Sequence, residues 1–277
     1  MPDQPILQFS NVSAQFDDTW ALRDVSLALL PGETRVIFGA AGSGKTTLLK
    51  AAIGLTAVSS GHVNLFGENI VNRKETELFP LRSRAGFVFQ EGGLFDSLSV
   101  GENVEYPLLN RQTTDPAQNH AAAGMTKMVR EALRFVELEQ TYDKFPSEIS
   151  GGMRRRVGIA RAIVTEPPLV LYDSPTAGLD PITADTIMAL IAKERDVRNS
   201  ASLIVTHRYQ DGEIMADFYY DPEIEGLVPV VERGTEQKRN RTRFIVMKEG
   251  QIVFFGTRQE MEASNDAYVS RFVRHEE

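Results

Sequence analysis

The stretch Thr34-Arg35-Val36-Ile37-Phe38-Gly39-Ala40-Ala41-Gly42-Ser43-Gly44-Lys45-Thr46-Thr47 decides the fold. An apolar run leads into glycines, and the helix-compatible Leu48-Leu49-Lys50-Ala51-Ala52 follows. The order is buried strand, tight turn, helix start. Gly39, Gly44, Lys45 and Thr46 fit the phosphate-loop pattern G-x-x-x-x-G-K-[ST]. Glycines let successive N–H groups point inward at an anion. The helix beginning near Gly44 adds the positive end of its dipole. Lys45 places a point charge on the β- and γ-phosphates, and the Thr46 hydroxyl is of the kind that ligates Mg²⁺. A glycine-rich turn that holds nothing is the plain alternative. The flanking strand and helix are the context that argues against it.

Composition bounds the rest. The 277 residues suffice for one large α/β domain, or for a core with a subdomain. At 42% hydrophobic and 25% charged, the chain resembles an ordinary globular protein. A net charge of −8 disfavours non-specific binding to nucleic acid, so no nucleic-acid partner is expected. There is no cysteine, hence no disulfide framework and no thiolate metal site, which fits a reducing cytoplasm. No apolar run approaches the roughly 18–20 residues that span a bilayer. Met1-Pro2-Asp3-Gln4-Pro5 has neither a basic nor an apolar signal-peptide region. Any membrane role is expected through a partner.

Along the chain, Ile6 to Phe16 and Val25 to Leu30 read as an antiparallel pair around the turn Asp17-Asp18. His62 to Phe66 and Ala85 to Phe89 read as strands. From about Leu98 to Val164 the pattern becomes helical, with Met125, Met128, Val129, Ala132, Leu133 and Val136 at helical spacing. Asn110 to Asn119 reads as an exposed loop. Leu169 to Tyr172 is an apolar strand, and a helix from about Pro181 to Arg195 has proline in its first turn. Ser202 to Thr206 is a further strand. Asp221 to Thr242 is polar. Phe244 to Met247 and Ile252 to Phe255 read as a hairpin across Glu249-Gly250, and the last twenty residues read as helical.

Two further stretches carry chemistry. Leu169-Val170-Leu171-Tyr172-Asp173 delivers a carboxylate at the C-terminal end of a strand, where ligand sites of open α/β sheets lie. With a phosphate loop upstream, Asp173 is a candidate Mg²⁺ holder. Ser150-Gly151-Gly152-Met153-Arg154-Arg155-Arg156 opens a helix with a good N-cap and exposed backbone N–H groups. In isolation this is only a capped helix with a solvated arginine face.

Together these motifs resemble those of an ABC transporter's nucleotide-binding subunit, across nearly the whole chain. Gly39–Thr47 is the phosphate loop, and Gln90 sits where that family has its Q-loop glutamine, which also reaches the metal. Ser150-Gly151-Gly152 matches the signature, with Ile149 and Met153 where Leu and Gln are commoner. Asp173 matches the Mg²⁺ aspartate, Ala177-Gly178-Leu179-Asp180 the D-loop, and His207 the switch histidine. Phe16 falls where the family stacks a ring on adenine, and Trp20 is the alternative. Phe89 to Val104 and Ser150 to Val157 resemble Mla-type ATPases, which drive phospholipid or other lipid transport.

The resemblance implies an α/β fold with ABC ATPase architecture. A P-loop NTPase core (1–90 and 165–277) carries an antiparallel β subdomain, and a helical subdomain (91–164) is inserted. It implies ATP and Mg²⁺ as cofactors. The implied partners are a membrane permease, an MCE-type substrate-binding protein, and a second ATPase subunit, identical or not. Each ATP would lie between the loop residues Gly39, Ala40, Ala41, Gly42, Ser43, Gly44, Lys45, Thr46 and Thr47 of one subunit and the signature and Asp180 of the other. The implied location is the cytoplasmic face of the inner membrane. The resemblance fades over 221–243, where Lys238–Arg243 is a solvated basic loop or a contact for lipid headgroups.

One departure matters most. After Asp173 the family usually carries a glutamate that orients or deprotonates the attacking water. Here that residue is Ser174. A serine hydroxyl hydrogen-bonds a water but does not accept its proton near neutral pH. General-base assistance is worth about 10²–10⁴ in rate. Three explanations stand open: slow hydrolysis, water positioned by Glu91, Asp180 or His207, or pairing with a catalytically complete subunit. The chain is expected to be a transport ATPase, with an ATP-driven binding switch as the rival reading.

Overall fold

Successive side chains of a strand face opposite ways. Val36, Ile37 and Phe38 are all fully buried, so the strand that carries them must be covered on both faces. A computed structural model describes residues 4–110, 122–230 and 241–273. It opens with a hairpin, β1 (Leu7–Phe16) and β2 (Thr19–Leu29). The phosphate-loop strand β3 (Thr34–Gly39) and helix α1 (Lys45–Ala52) follow. Then come β4 (Ser60–Leu65), the two-residue β5 (Glu68–Asn69), α2 (Glu75–Arg82) and β6 (Ala85–Val88). Three helices, α3 (Val100–Leu109), α4 (Ala122–Phe135) and α5 (Gly151–Ile163), pack on one another before the chain returns to β7 (Leu169–Asp173). Next are α6 (Pro181–Arg198), β8 (Ala201–Val205) and α7 (Tyr209–Asp217). A small hairpin, β9 (Phe218–Asp221) and β10 (Gly226–Pro229), precedes β11 (Thr242–Lys248) and β12 (Gln251–Gly256).

The strands form a six-stranded sheet in the order β12-β11-β3-β8-β7-β6 and a four-stranded sheet in the order β2-β1-β4-β5. From β11 to β6 the larger sheet is parallel, and β12 joins it antiparallel. Val36, Phe38, Tyr172 and Ile204 face a core shared with α3 to α7. Ile37, Leu171, Leu203 and Val205 face the opposite core, with Leu48 and Leu49 of α1 and Phe9 and Val25 of the antiparallel sheet. The alternation within one strand therefore builds two cores at once.

Caps set the helix starts. Ser99 and Glu102 form a reciprocal capping box at α3. Asp180 caps α6, where Pro181 takes the first turn. The two signals anticipated for the last hairpin are present: Glu249 and Gly250 both hold positive φ between β11 and β12.

Several segments differ from the expectations above. The C-terminal twenty residues do not form a continuous helix. Within the described part only Arg258–Glu262 and Ala267–Ser270 are helical, because Thr257 and Asp266 each begin a new capped turn. Helix α2 was hidden by its internal Pro80, and α7 by the lack of a clear apolar stripe. The polar stretch from Asp221 contains β10, held by Val228 opposite Tyr219. The strand placed at Val25 begins earlier, at Thr19, and the one placed to Phe89 ends at Val88. Most of the loop placed at Asn110–Asn119, and Lys238 and Arg239 of the basic run, lie outside the described residues.

One buried acid in α6 carries a pH signature. The Glu194 side chain is 0% exposed, and Arg198 Nε lies 3.4 Å from its carboxylate. Neither carboxylate oxygen has a hydrogen-bond partner. Burial pushes its pKa from 4.5 up to about 7, with Arg198 opposing and Glu166 adding to the rise. A carboxyl raised in the folded state favours folding while protonated and opposes it once ionised, so this contribution is lost as pH rises from 4.5 through 7. Each pKa unit is worth about 1.4 kcal/mol. Glu194→Gln is therefore expected to gain stability over the parent between pH 5 and pH 8, by up to about 3 kcal/mol. Urea unfolding at the two pH values checks this, and a pH-independent difference between the proteins would refute it.

Candidate functional site

The parallel strands aim their C-terminal ends at one edge of the sheet. β3 ends at Gly39, β8 leads to Thr206 and His207, β7 ends at Asp173 and Ser174, and β6 leads to Gln90. Asp173 is paired with Val205, and the Ser174 N–H donates to the Val205 carbonyl at 2.9 Å. Sheet register thus gathers residues from four distant parts of the sequence.

The phosphate loop is tightly bounded. A Cβ on Gly39 would sit 2.5 Å from the Met247 carbonyl, and one on Gly44 would collide with the Ala21 carbonyl. Gly44 has φ +100 and caps α1. Lys45 Nζ donates to the carbonyls of Gly39 at 2.7 Å and Ala40 at 2.8 Å, and to Ser43 Oγ at 3.3 Å. Burial lowers the Lys45 pKa, and the charge of Asp173 opposes this.

Thr46 Oγ1 donates to Asp173 Oδ1 at 3.3 Å. Burial pushes the Asp173 carboxyl above its ordinary value. Hydrogen bonds from Thr46 and Ser174 and the charges of Lys50 and Lys45 pull it back. Two hard oxygens this close suit Mg²⁺, which takes one or two protein ligands and completes its shell with phosphate and water. No cluster of three or more acidic or imidazole side chains suited to a metal occurs among the described residues.

Ser174 holds φ +51 directly after Asp173. Of the groups considered for placing a water, Asp180 is engaged elsewhere: its Oδ1 accepts from the Thr183 N–H at 3.0 Å. His207 is exposed just after β8, and Glu91 lines a polar pocket that neither His207 nor Ser174 lines. A residue the sequence did not single out holds this region together. Asp211 is fully buried and accepts from Thr176 Oγ1 at 2.5 Å and Thr206 Oγ1 at 2.6 Å. It ties the turn after Ser174 to the residue before His207.

The signature lies elsewhere. Ser150 Oγ accepts from the Met153 N–H at 3.2 Å and caps α5. Gly151, Arg154 and Arg155 line a polar pocket of about 540 Å³ with Glu91, Asp96, Gly178 and Leu179. No phosphate-loop residue lines it, so within one chain the two motifs stay apart. Gln90 is exposed after β6, and its carbonyl accepts from Arg155 Nε at 2.9 Å. Arg161 donates to the carbonyls of Gly92 and Gly93 at 2.9 and 2.8 Å. These bonds fasten the Gln90 loop to the signature helix. Phe16 is 49% exposed and Trp20 39% exposed, near the turn of the first hairpin. Either ring is free to stack.

Residues 22–177 match the ABC transporter family. The methionine import ATP-binding protein MetN of Corynebacterium efficiens is 40% identical over 200 residues, covering 72% of this chain and 54% of MetN. The chain thus spans about half the length of that relative. The intermembrane phospholipid transport system ATP-binding protein MlaF of Haemophilus influenzae is 32% identical over 236 residues, 85% of this chain and 86% of MlaF. Among solved structures, the dimeric post-hydrolysis state of the ATP-binding cassette MJ0796 bound to ADP and Pi is 28% identical. It covers 91% of this chain and 98% of its own, with a TM-score of 0.72.

Removing the Asp211 carboxylate would take the acceptor from two buried threonine hydroxyls and one of two acidic neighbours from Arg208, which lies 3.5 Å from Asp211 and 3.6 Å from Asp185. Asp211→Ala is expected to cost about 3 kcal/mol of stability. Denaturant unfolding checks this, and a cost below about 1 kcal/mol would contradict the bridging role.

Proposed function

From the premise that the chain belongs to the ABC transporter family, we propose that it is an ATP-binding and ATP-hydrolysing subunit serving a membrane permease. One observation carries this reading: a complete phosphate loop whose Thr46 meets Asp173, and a signature helix whose polar pocket no phosphate-loop residue of its own chain lines. Such a site is completed by a second copy or a similar chain. The dimeric arrangement of the MJ0796 neighbour supports that.

In this reading the amides of Ala41 to Thr46 cradle the phosphates of ATP, and Lys45 leaves its carbonyl partners for the β- and γ-oxygens. Thr46 and Asp173 would hold Mg²⁺, which when bound would supply positive charge against the phosphates. His207 and Ser174 orient the attacking water. Phe16 or Trp20 stacks on adenine. Ser150, Gly151 and Gly152 of the partner present amides and a hydroxyl to the γ-phosphate. Closing the dimer on ATP and opening it after hydrolysis follows from differential affinity for the two states.

The proposed division is an α/β core (1–90, 165–277) with a helical subdomain (91–164). Between them lies an apolar groove of about 590 Å³ lined by Phe79, Phe89, Phe95, Tyr106 and Arg161 among others. Its position against the Gln90 loop suits a cytoplasmic helix of a permease. No helix among the described residues is long and apolar enough to cross a membrane. Attachment to the cytoplasmic face of the inner membrane would then run through this groove.

For the cargo we favour phospholipid or another lipid, with an MCE-type substrate-binding protein in the complex. The support is the MlaF relative, matched along most of both chains. A second reading, an ATP-driven clamp with little turnover, is favoured by Ser174 alone. A complex purified from membranes, with its subunits identified and its bound lipid extracted, tests the cargo.

Two outcomes are expected. Ser174→Glu should raise the steady-state rate of phosphate release at least about tenfold, towards the range of general-base assistance. An unchanged rate in an already fast enzyme would exclude the proposed deficit. Phe95→Asp should abolish co-purification with the permease and leave ATP affinity within about twofold, since Phe95 lines the groove and not the loop. Retained co-purification would exclude the groove as the docking site.

A further inference from the structure

The C-terminal segment reaches the phosphate loop. Tyr268 Oη accepts from the Ala40 N–H at 3.1 Å and donates to the Met247 carbonyl at 3.1 Å. Ala40 is the first loop residue after β3, and its carbonyl is one of the groups that hold Lys45. Both polar groups of this residue are therefore engaged, one by Lys45 and the other by a side chain 228 positions away.

Tyr268 is itself fixed from several sides. Asp266 Oδ1 accepts from the Tyr268 and Val269 N–H groups at 2.7 and 3.2 Å. Lys248 Nζ stands 5.2 Å from the ring centroid, and Phe272 meets the ring edge-on at 5.3 Å. Phe272 in turn lies 6.3 Å from Phe38 of β3, and Val269 and Met261 are buried. The same segment also grips the helix after His207. Tyr209 Oη donates to Glu262 Oε1 at 2.8 Å, and Arg258 pairs with Glu213 at 2.8 Å. One short stretch, 257–273, thus touches the phosphate loop at one end and α7 at the other.

We propose that Tyr268 is a positioning residue for nucleotide binding, whose hydroxyl holds the Ala40 peptide, and with it the mouth of the phosphate loop, in the geometry that receives phosphate. This rests on the reading of that loop as the ATP site. The Ala40 N–H is exposed, so water replaces the hydroxyl in its absence and the fold loses little. What the hydroxyl supplies is order in a glycine-rich loop that otherwise samples many backbone states. Pre-ordering acts on the loop before phosphate arrives, so it strengthens ATP and ADP alike and leaves the chemical step alone.

The test compares the full-length protein with Tyr268→Phe, which keeps the ring contacts and removes only the hydroxyl. Calorimetry with ATP·Mg²⁺ and with ADP is expected to show affinity weakened about three- to tenfold for both, the size of one net hydrogen bond. KM for ATP should rise by the same factor with kcat within about twofold. Hydrogen exchange of the Ala40–Gly44 amides should speed up, while the melting temperature stays within a few degrees. Unchanged nucleotide affinity in Tyr268→Phe overturns the inference. So does weakened affinity accompanied by a collapse of the melting temperature, which would make Tyr268 a general structural support. A parent protein that takes up no adenine nucleotide overturns the ATP-site reading itself, and the inference with it.

Discussion

The carbonyl of Met247 presses so closely on Gly39 that no side chain fits between them, and the Ala21 carbonyl does the same at Gly44. The phosphate loop is therefore shaped from outside as much as by its own glycines. The Gly250 N–H donates to the Ser43 carbonyl at 3.1 Å, and Gly250 in turn accepts from the Arg23 N–H at 2.8 Å. The first hairpin, the last hairpin and the C-terminal segment thus converge on the stretch from Gly39 to Gly44. An anion site built from backbone amides works only when those amides are aimed in advance, because free glycines would lose that order as conformational entropy.

The rest of the site depends on the sheet. Parallel pairing puts the ends of β3, β8 and β7 at one level, so Thr46 reaches Asp173 and Ser174 stands beside the turn to His207. Both faces of these strands are covered, which explains their unbroken apolar composition. Charge is admitted at the edge under restraint. Asp211 stays buried because two threonine hydroxyls and Arg208 surround it, and Asp173 because Thr46, Ser174 and two lysines offset its burial. The arginines of α5 extend the same logic outward. Arg155 and Arg161 bind carbonyls of the Gln90 loop and fasten it to the signature helix.

Much of this was legible without coordinates. The phosphate loop, the Asp173 strand, the capped helix at Ser150, the helix opened by Pro181 and the final hairpin each carry a local signal. Such a signal is a glycine at a positive φ, a side-chain oxygen at a helix start, or a run of β-branched residues. Where local signals fail, the structure departs. Pro80 lies inside α2, α7 lacks a clear apolar stripe, and β10 gains its strand from pairing with β9. The C-terminal stretch reads as helix by composition, yet it forms two short helices, one begun at Thr257 and the other at Asp266.

The sequence by itself determined the family, the phosphate-loop pattern of Gly39 to Thr46 and the Asp173-Ser174 pair at a strand end, since each is written in adjacent residues whose reading does not depend on distant neighbours. Only the tertiary structure decided that Asp211 bridges two loops, that the signature stands apart from its own phosphate loop, and that Tyr268 meets Ala40. Those contacts join residues tens to hundreds of positions apart. Sheet register and helix packing fix such distances, and no short stretch of sequence encodes them.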